Sequence, residues 1–594
     1  MPLQKILSMK NFLSSLLATL VGIIIMTVVF VLIFIGIVSA STAKEIPEVK
    51  ENSIMLAKFS APIADRSDDN PFSRFLTGNP MAESVAGLDQ ILKDLKRAAG
   101  DENIKGIFLN LRNVPSGFST LGEVREGLLE FKKSGKFIYA YADSYTHKSY
   151  YLASVADSIF MTPEGVFYFT GLSAEATFYK NALDKIGVEM QVIKHGSYKS
   201  AAESFTREDL SEENREQIEG YVGAIWEKLV TDIAESRDID PALLNQYADE
   251  LMSLDNDQLL ETGMIDGLIY YDEMLSLMKR KVGIEESEDL ESIALSRYKD
   301  VPSKEKKALG RDKIAVIYAM GTVVDGNMGE GYIGSERISR AIRKARRDKY
   351  VKAIVFRVNS GGGGVVASDV IYREAMLAAR EKPFVASMGD VAASGGYYIV
   401  SPADTILASP STITGSIGVI FTMPNMKELM NEKIGITTDV VKTNRHADIL
   451  TVFDPLDPEE RMFIQKTVDD TYENFVGLVA DQRGKSFEEI DAIAGGRVWS
   501  GKDALDLGLI DMFGGLDKSI EVAASMAGLE TYRIESLPRL EDPLTTIMKQ
   551  LTGDAKMKAV KKELGEHYIH YKNLQAIKEM RGLQSILPYE IELY

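Results

Sequence analysis

The chain is written twice, and the two copies carry different chemistry. Gly263-Met264-Ile265-Asp266 recurs as Gly508-Leu509-Ile510-Asp511, and Ala156-Asp157 recurs as Ala403-Asp404, about 245–247 residues apart. In this alignment Ser394, within Ala392-Ala393-Ser394-Gly395-Gly396-Tyr397-Tyr398, stands opposite His147 of Tyr145-Thr146-His147-Lys148-Ser149-Tyr150-Tyr151. Lys199, within Ile193-Lys194-His195-Gly196-Ser197-Tyr198-Lys199-Ser200, stands opposite Ala447. A repeat of this length is a domain, not the unit of a solenoid or propeller. A serine kept in one copy and a lysine in the other predict a composite site built from both.

At 594 residues the chain is too long for one core. A net charge of −19 argues against nucleic acid as a partner, because phosphate binding needs a basic face. The absence of cysteine excludes disulfides, thiol catalysis and cysteine-ligated metals.

Residues 11–40 form an apolar run without a charge. A bilayer core needs about 20 apolar residues, so the run predicts a transmembrane helix. Lys5 and Lys10 precede it and place the short N-terminus in the cytoplasm, with the rest of the chain outside. The rival is a cleaved signal peptide ending near Ser41-Thr42-Ala43, but the run is much longer than a usual signal-peptide core of about 7–15 residues.

The expected domains are an anchor over 1–45, a first repeat over 46–280, a charged linker over 281–313, a second repeat over 314–539 and a helical extension over 540–594. Both repeats alternate short β-rich runs with helical patterns. In the second, 353–358 reads as a buried strand, 368–380 as a helix, 384–388 as a strand and 405–408 as another. In the first, 106–111, 123–133 and 137–141 repeat the alternation. This predicts parallel α/β sheets, with chemistry at the carboxyl ends of the strands.

Two loops stand at such ends. Ser394 follows a strand pattern and precedes a helix, whose N-terminus favours developing negative charge. Helix capping is the ordinary use of a serine there. The glycines of Asn359-Ser360-Gly361-Gly362-Gly363-Gly364 free backbone N–H groups to face a ligand. An oxyanion needs two such donors, and Gly362 and Gly395 are the expected pair. The loop lacks the Lys-Ser/Thr of a phosphate-binding loop. A serine nucleophile also needs a base. Of the five histidines, His446 is the best rival base. Lys199, between Tyr198 and Ser200-Ala201-Ala202, can serve only if burial lowers its pKa from about 10.4 towards 7–8; a lysine is ordinarily a solvated surface charge, and what makes Lys199 the sharper candidate is the resemblance that follows.

The glycine loop, Ala392-Ala393-Ser394-Gly395-Gly396-Tyr397, Ser411-Thr412-Ile413-Thr414-Gly415-Ser416-Ile417-Gly418, Gly496-Arg497-Val498-Trp499 and Tyr198-Lys199-Ser200-Ala201 together resemble peptidase family S49 in its long, double-domain form. The resemblance runs from the apolar segment to about residue 539. It implies tandem domains similar to the Clp protease and crotonase group, with Ser394 as nucleophile, Lys199 as general base and Ser416 holding the lysine. It further implies a homotetramer anchored in the bacterial inner membrane, with its catalytic domains on the periplasmic side, and no metal or organic cofactor. The implied substrates are signal peptides left after preprotein processing. Gly361 stands where the family usually has proline, which removes a fixed φ from the loop. The alternatives are a crotonase-like acyl-CoA enzyme, which would form no acylated serine, and a non-catalytic membrane scaffold of the same fold.

Overall fold

A computed structural model describes residues 16–27, 29–30, 47–67, 87–252, 255–302, 310–540, 582–586 and 592–593. The two repeats build the same sheet twice. In the first, Ser292–Ala294, Ser53–Ala57, Ile104–Asn110, Phe137–Ala142, Ser158–Met161 and Gly267–Leu268 lie side by side. In the second, Arg533–Leu537, Lys313–Met320, Val351–Ser360, Phe384–Ala393, Thr405–Ala408 and Met512–Phe513 follow the same order. Every neighbouring pair along both rows is parallel. The inner strands are apolar on both faces because helices cover them, as in Val351–Ser360, where eight of ten residues are buried.

The repeated sequence fragments are structural fasteners. Asp157 accepts from the N–H of Ile138, and its twin Asp404 accepts from Phe384, each at 2.8 Å. Asp266 accepts from Ile159 and is clamped by Arg237, while Asp511 accepts from Ile406 and is clamped by Arg483. Both arginines end 26-residue helices, Glu212–Arg237 and Pro458–Arg483.

A further sheet joins the repeats. Its order is Tyr332–Gly334, Thr322–Val324, Gly362–Gly364, Gly582–Ile586, Ile420–Asn425 and Glu189–Lys194. Glu189–Lys194 belongs to the first repeat and pairs antiparallel with Ile420–Asn425 of the second, Lys194 opposite Ile420. That ladder carries Lys199, five residues on, into the second repeat.

Two expected boundaries change. Within the supposed linker, Ser292–Ala294 is an edge strand, and Leu295 and Tyr298 are buried in the first core. The strand is short and flanked by charged runs, which hid its alternation. Of the expected helical extension, 582–586 and 592–593 are described as strands, Gly582–Ile586 and Glu592–Leu593, while the expectation for 541–581 falls outside the described residues. Two open sheet edges recruit the first of these, and such pairing overrides local helical spacing. Of the apolar run 11–40, residues 16–27 and 29–30 are described and helical. No helix among the described residues is long and apolar enough to cross a membrane.

Candidate active site

Strand Phe384–Ala393 ends in a sharp elbow. Ser394 has φ 55° and ψ −118°, a conformation rare for a residue with a side chain. Its N–H donates to the carbonyl of Gly415 at 2.8 Å, which holds the elbow against the next strand. Ser416 also has a positive φ, 48°, and donates its N–H to Arg497 O at 2.7 Å. Two strained serines side by side mark a place where geometry outranks local comfort.

Lys199 reaches this elbow from the other repeat. Its Nζ lies 2.7 Å from Ser394 Oγ, 3.0 Å from Ser416 Oγ and 3.2 Å from the Ser416 carbonyl. The lysine is 1% exposed. Burial holds its pKa well below the ordinary value. Its partners are two hydroxyls and a carbonyl, and among the described residues no carboxylate bonds it, so no counter-charge offsets the cost of burying the ammonium form.

The slot around the lysine is cut from glycine. A Cβ added at Gly496 would lie 2.6 Å from Lys199 Cβ, and one at Gly418 would lie 3.3 Å from its Cδ. Beside it, Gln217 donates to Ser200 Oγ and accepts from the N–H of Val498, bridging the repeats. Arg497 stacks over Tyr198 and Trp499 and pairs with Glu216. Gly496→Ala is therefore expected to push the amine away from Ser394 and lower kcat about 100-fold, the usual cost of an ångström-scale misplacement. Steady-state kinetics on the folded variant check this.

The glycine loop lies against the elbow. The N–H of Gly362 is engaged by Ser360 Oγ at 3.1 Å. A Cβ built on Gly395 would lie 3.0 Å from the nitrogen of Gly363. Gly363 thus lies beside Gly395, where the carbonyl oxygen of Ser585 also stands, 3.0 Å from the same added Cβ. Gly362 and Gly363 have φ of 101° and 156°, and an added Cβ would strike backbone at 2.1 Å in both, so neither tolerates a side chain.

Each sequence candidate has a definite place. Ser394, Lys199, Ser416, Gly362 and Gly395 converge. His446 does not, since its ring pairs with Glu460 at 3.1 Å and Glu459 at 3.3 Å. His147, the positional twin of Ser394, is buried beside Phe169 and Trp226 and accepts from Thr170 N–H. Burial lowers its pKa to about 4. Sequence reasoning missed Ser585, whose hydroxyl lies 2.7 Å from Ser394 Oγ. Leu583-Gln584-Ser585-Ile586 does not alternate, so the sequence carries no clear strand signal that could have found it.

A serine hydroxyl bonded to a buried amine, beside backbone N–H groups on glycines, has the parts that acyl transfer through a serine needs: an alcohol, a proton acceptor and donors for an oxyanion. The model of peptidase family S49 matches residues 130–285 and 377–530, one match in each repeat. Protease 4 of Salmonella typhi is 37% identical over 478 residues, which span 79% of this chain and 76% of that one. The chloroplastic serine protease SPPA of Arabidopsis thaliana is 33% identical, spanning 85% of this chain and 74% of its own. Protease 4 of Haemophilus influenzae is 33% identical, with 84% and 83% spanned. The chain belongs to peptidase family S49 and is a serine protease.

Proposed function

We propose that Ser394 is the nucleophile, Lys199 its general base and Ser416 the residue that orients the lysine. The observation that carries this reading is the 2.7 Å contact between Lys199 Nζ and Ser394 Oγ inside a buried slot. Lys199 enters neutral and takes the Ser394 proton as Oγ attacks a peptide carbonyl. The oxyanion is held by the N–H groups of Gly395 and Gly363. Gly363 replaces Gly362 in this role because Ser360 already uses the Gly362 N–H. Protonated Lys199 then gives its proton to the leaving amine, and water activated by the same lysine resolves the acyl-enzyme.

The substrates are peptides bound extended, above all signal peptides left after preprotein processing. Supporting this, the glycine loop and strand Ile420–Asn425 both pair, on facing edges, with an extended segment, Gly582–Ile586. Residues 11–40 anchor the chain in the bacterial inner membrane with the catalytic repeats outside the cytoplasm, and the working form is a homotetramer. The repeats are of the Clp protease and crotonase kind, and the reaction needs no metal or organic cofactor.

Digestion of casein and of synthetic signal peptides tests the reading. Ser394→Ala is expected to lower kcat by at least about 1,000-fold with the fold intact. Hydrolysis at the wild-type rate in that variant would end it.

A further inference from the structure

In the run Gly496-Arg497-Val498-Trp499, one residue touches both the serine that bonds the lysine and the residue beside the lysine in the chain. The Arg497 carbonyl accepts the N–H of Ser416 at 2.7 Å, which holds that serine at its φ of 48°. The Arg497 side chain reaches into the other repeat. Its Nη1 donates to the Tyr198 hydroxyl at 3.1 Å, and its Nη2 donates to Glu216 Oε1 at 2.8 Å. Tyr198 donates in turn to Glu216 Oε2 at 2.8 Å, which closes a ring of three side chains. The guanidinium carbon lies 4.7 Å from the centre of the Tyr198 ring and 4.2 Å from that of Trp499. The pair with Glu216 is half in water and holds little by itself. The stack and the Tyr198 bond carry the contact, and they need a planar fork that lysine lacks.

Tyr198 matters because of where it stands. Gly196 and Ser197 before it are exposed, and Lys199 after it is buried, so the chain turns inward at this residue. Beyond the lysine, Ser200 is already held by Asn214 and Gln217. The arginine therefore governs the other approach to Lys199, and through its carbonyl it also governs Ser416, whose hydroxyl lies 3.0 Å from Lys199 Nζ. At the twin position the first repeat carries Met252, which packs against its own core. The repeat with His147 in place of the nucleophile thus also lacks the arginine.

We propose that Arg497 is a positioning residue for catalysis: its carbonyl sets Ser416, its guanidinium sets Tyr198, and together they hold the Lys199 amine on Ser394. This rests on the Ser394/Lys199 reading above. The Arg497 side chain hydrogen-bonds neither reacting group and acts through the lysine. Without the fork, the turn at 196–199 relaxes and water reaches the amine. Burial is what depresses the lysine's pKa, so wetting it returns the value towards the ordinary 10.5. Misplacement lowers the rate of the chemical step, and the raised pKa leaves less free amine at neutral pH.

The test is steady-state kinetics across pH on the full-length protein with a fluorogenic peptide, comparing wild type, Arg497→Ala, Arg497→Lys and Lys199→Met. Both Arg497 variants are expected to lose kcat about 10–100-fold with KM changed by no more than about twofold. The acidic limb of kcat/KM, where the base takes up its proton, is expected to move at least about one unit to higher pH. Arg497→Lys keeps the charge, so the same shift there traces to the lost fork and stack. Tyr198→Phe removes one hydroxyl from the same ring and serves should Arg497→Ala not fold. Combined with Arg497→Ala, it is expected to cost no more than Arg497→Ala alone. A wild-type kcat, a loss of kcat with an unmoved limb, a rise in KM alone, or wild-type behaviour of Arg497→Lys would overturn the proposal, as would additive losses in the double variant. Full activity in Lys199→Met would instead sink the reading of the site, and this inference with it.

Discussion

Lys199→Met is expected to lower kcat by about 10⁴–10⁶-fold, the range seen when a hydrolase loses the base that serves its nucleophile. The same variant is expected to fold more stably. The wild-type lysine is buried without a carboxylate, and burial depresses its pKa. Between that depressed value and the ordinary 10.5, the unfolded chain binds a proton that the native chain does not. Stability therefore rises with pH across this window, and the native state loses ground as pH falls through it. Methionine fills much of the same space and carries no such cost. A gain of about 0.5–2 kcal/mol, typical when a group kept for function is removed, is the expected size. Denaturation of both proteins across the window, alongside kinetics, separates the two effects. The pH-linked part of the gain must be absent above 10.5.

Arg357→Leu is expected to be the most damaging change away from the site. Arg357 is fully buried on the strand that feeds the glycine loop. It bonds Asp65 at 2.6 Å and Glu123 at 2.6 Å, both buried and both from the first repeat. Asp65 also accepts from Asn359, and Asn359 accepts from the N–H of Val391 on the strand leading to Ser394. Removing the guanidinium leaves two carboxylates buried without their cation, at a cost of about 3–5 kcal/mol. Burial already raises Glu123 to about 7, against the pull of Arg357. An acid raised in the native state loses stability as pH climbs from its unfolded value of 4.5 to that figure. The loss in Arg357→Leu should therefore deepen towards neutral pH. Replacing Arg357, Asp65 and Glu123 together by apolar residues should recover most of it. Unfolding midpoints at pH 5 and pH 8 test both statements.

Much of this was legible in the sequence because duplication and glycine are loud signals. The paired Ala-Asp and Gly-X-Ile-Asp fragments marked the two sheets, and they are the residues that pin strand N–H groups. The strand before Ser394 and the glycine loop were readable from their apolar runs and punctuation. Lys199 was different. Nothing beside it in the chain announces burial, which comes from Gly496 and Gly418 in the other repeat. The bond from the Gly362 N–H to the Ser360 hydroxyl was hidden too, being a matter of loop geometry. The strand at Gly582–Ile586 was missed for a related reason. Five residues without alternation gain their structure from two edges brought together by distant segments. Non-local pairing of that sort leaves little trace in local spacing.

The central claim is that a neutral amine from one repeat activates a hydroxyl from the other. Its most direct test is the rate at which a fluorophosphonate modifies Ser394, followed by mass spectrometry of the full chain. Wild type is expected to take up one adduct at Ser394, and folded Lys199→Met none over the same exposure. Modification of Ser394 in Lys199→Met at the wild-type rate would contradict the account.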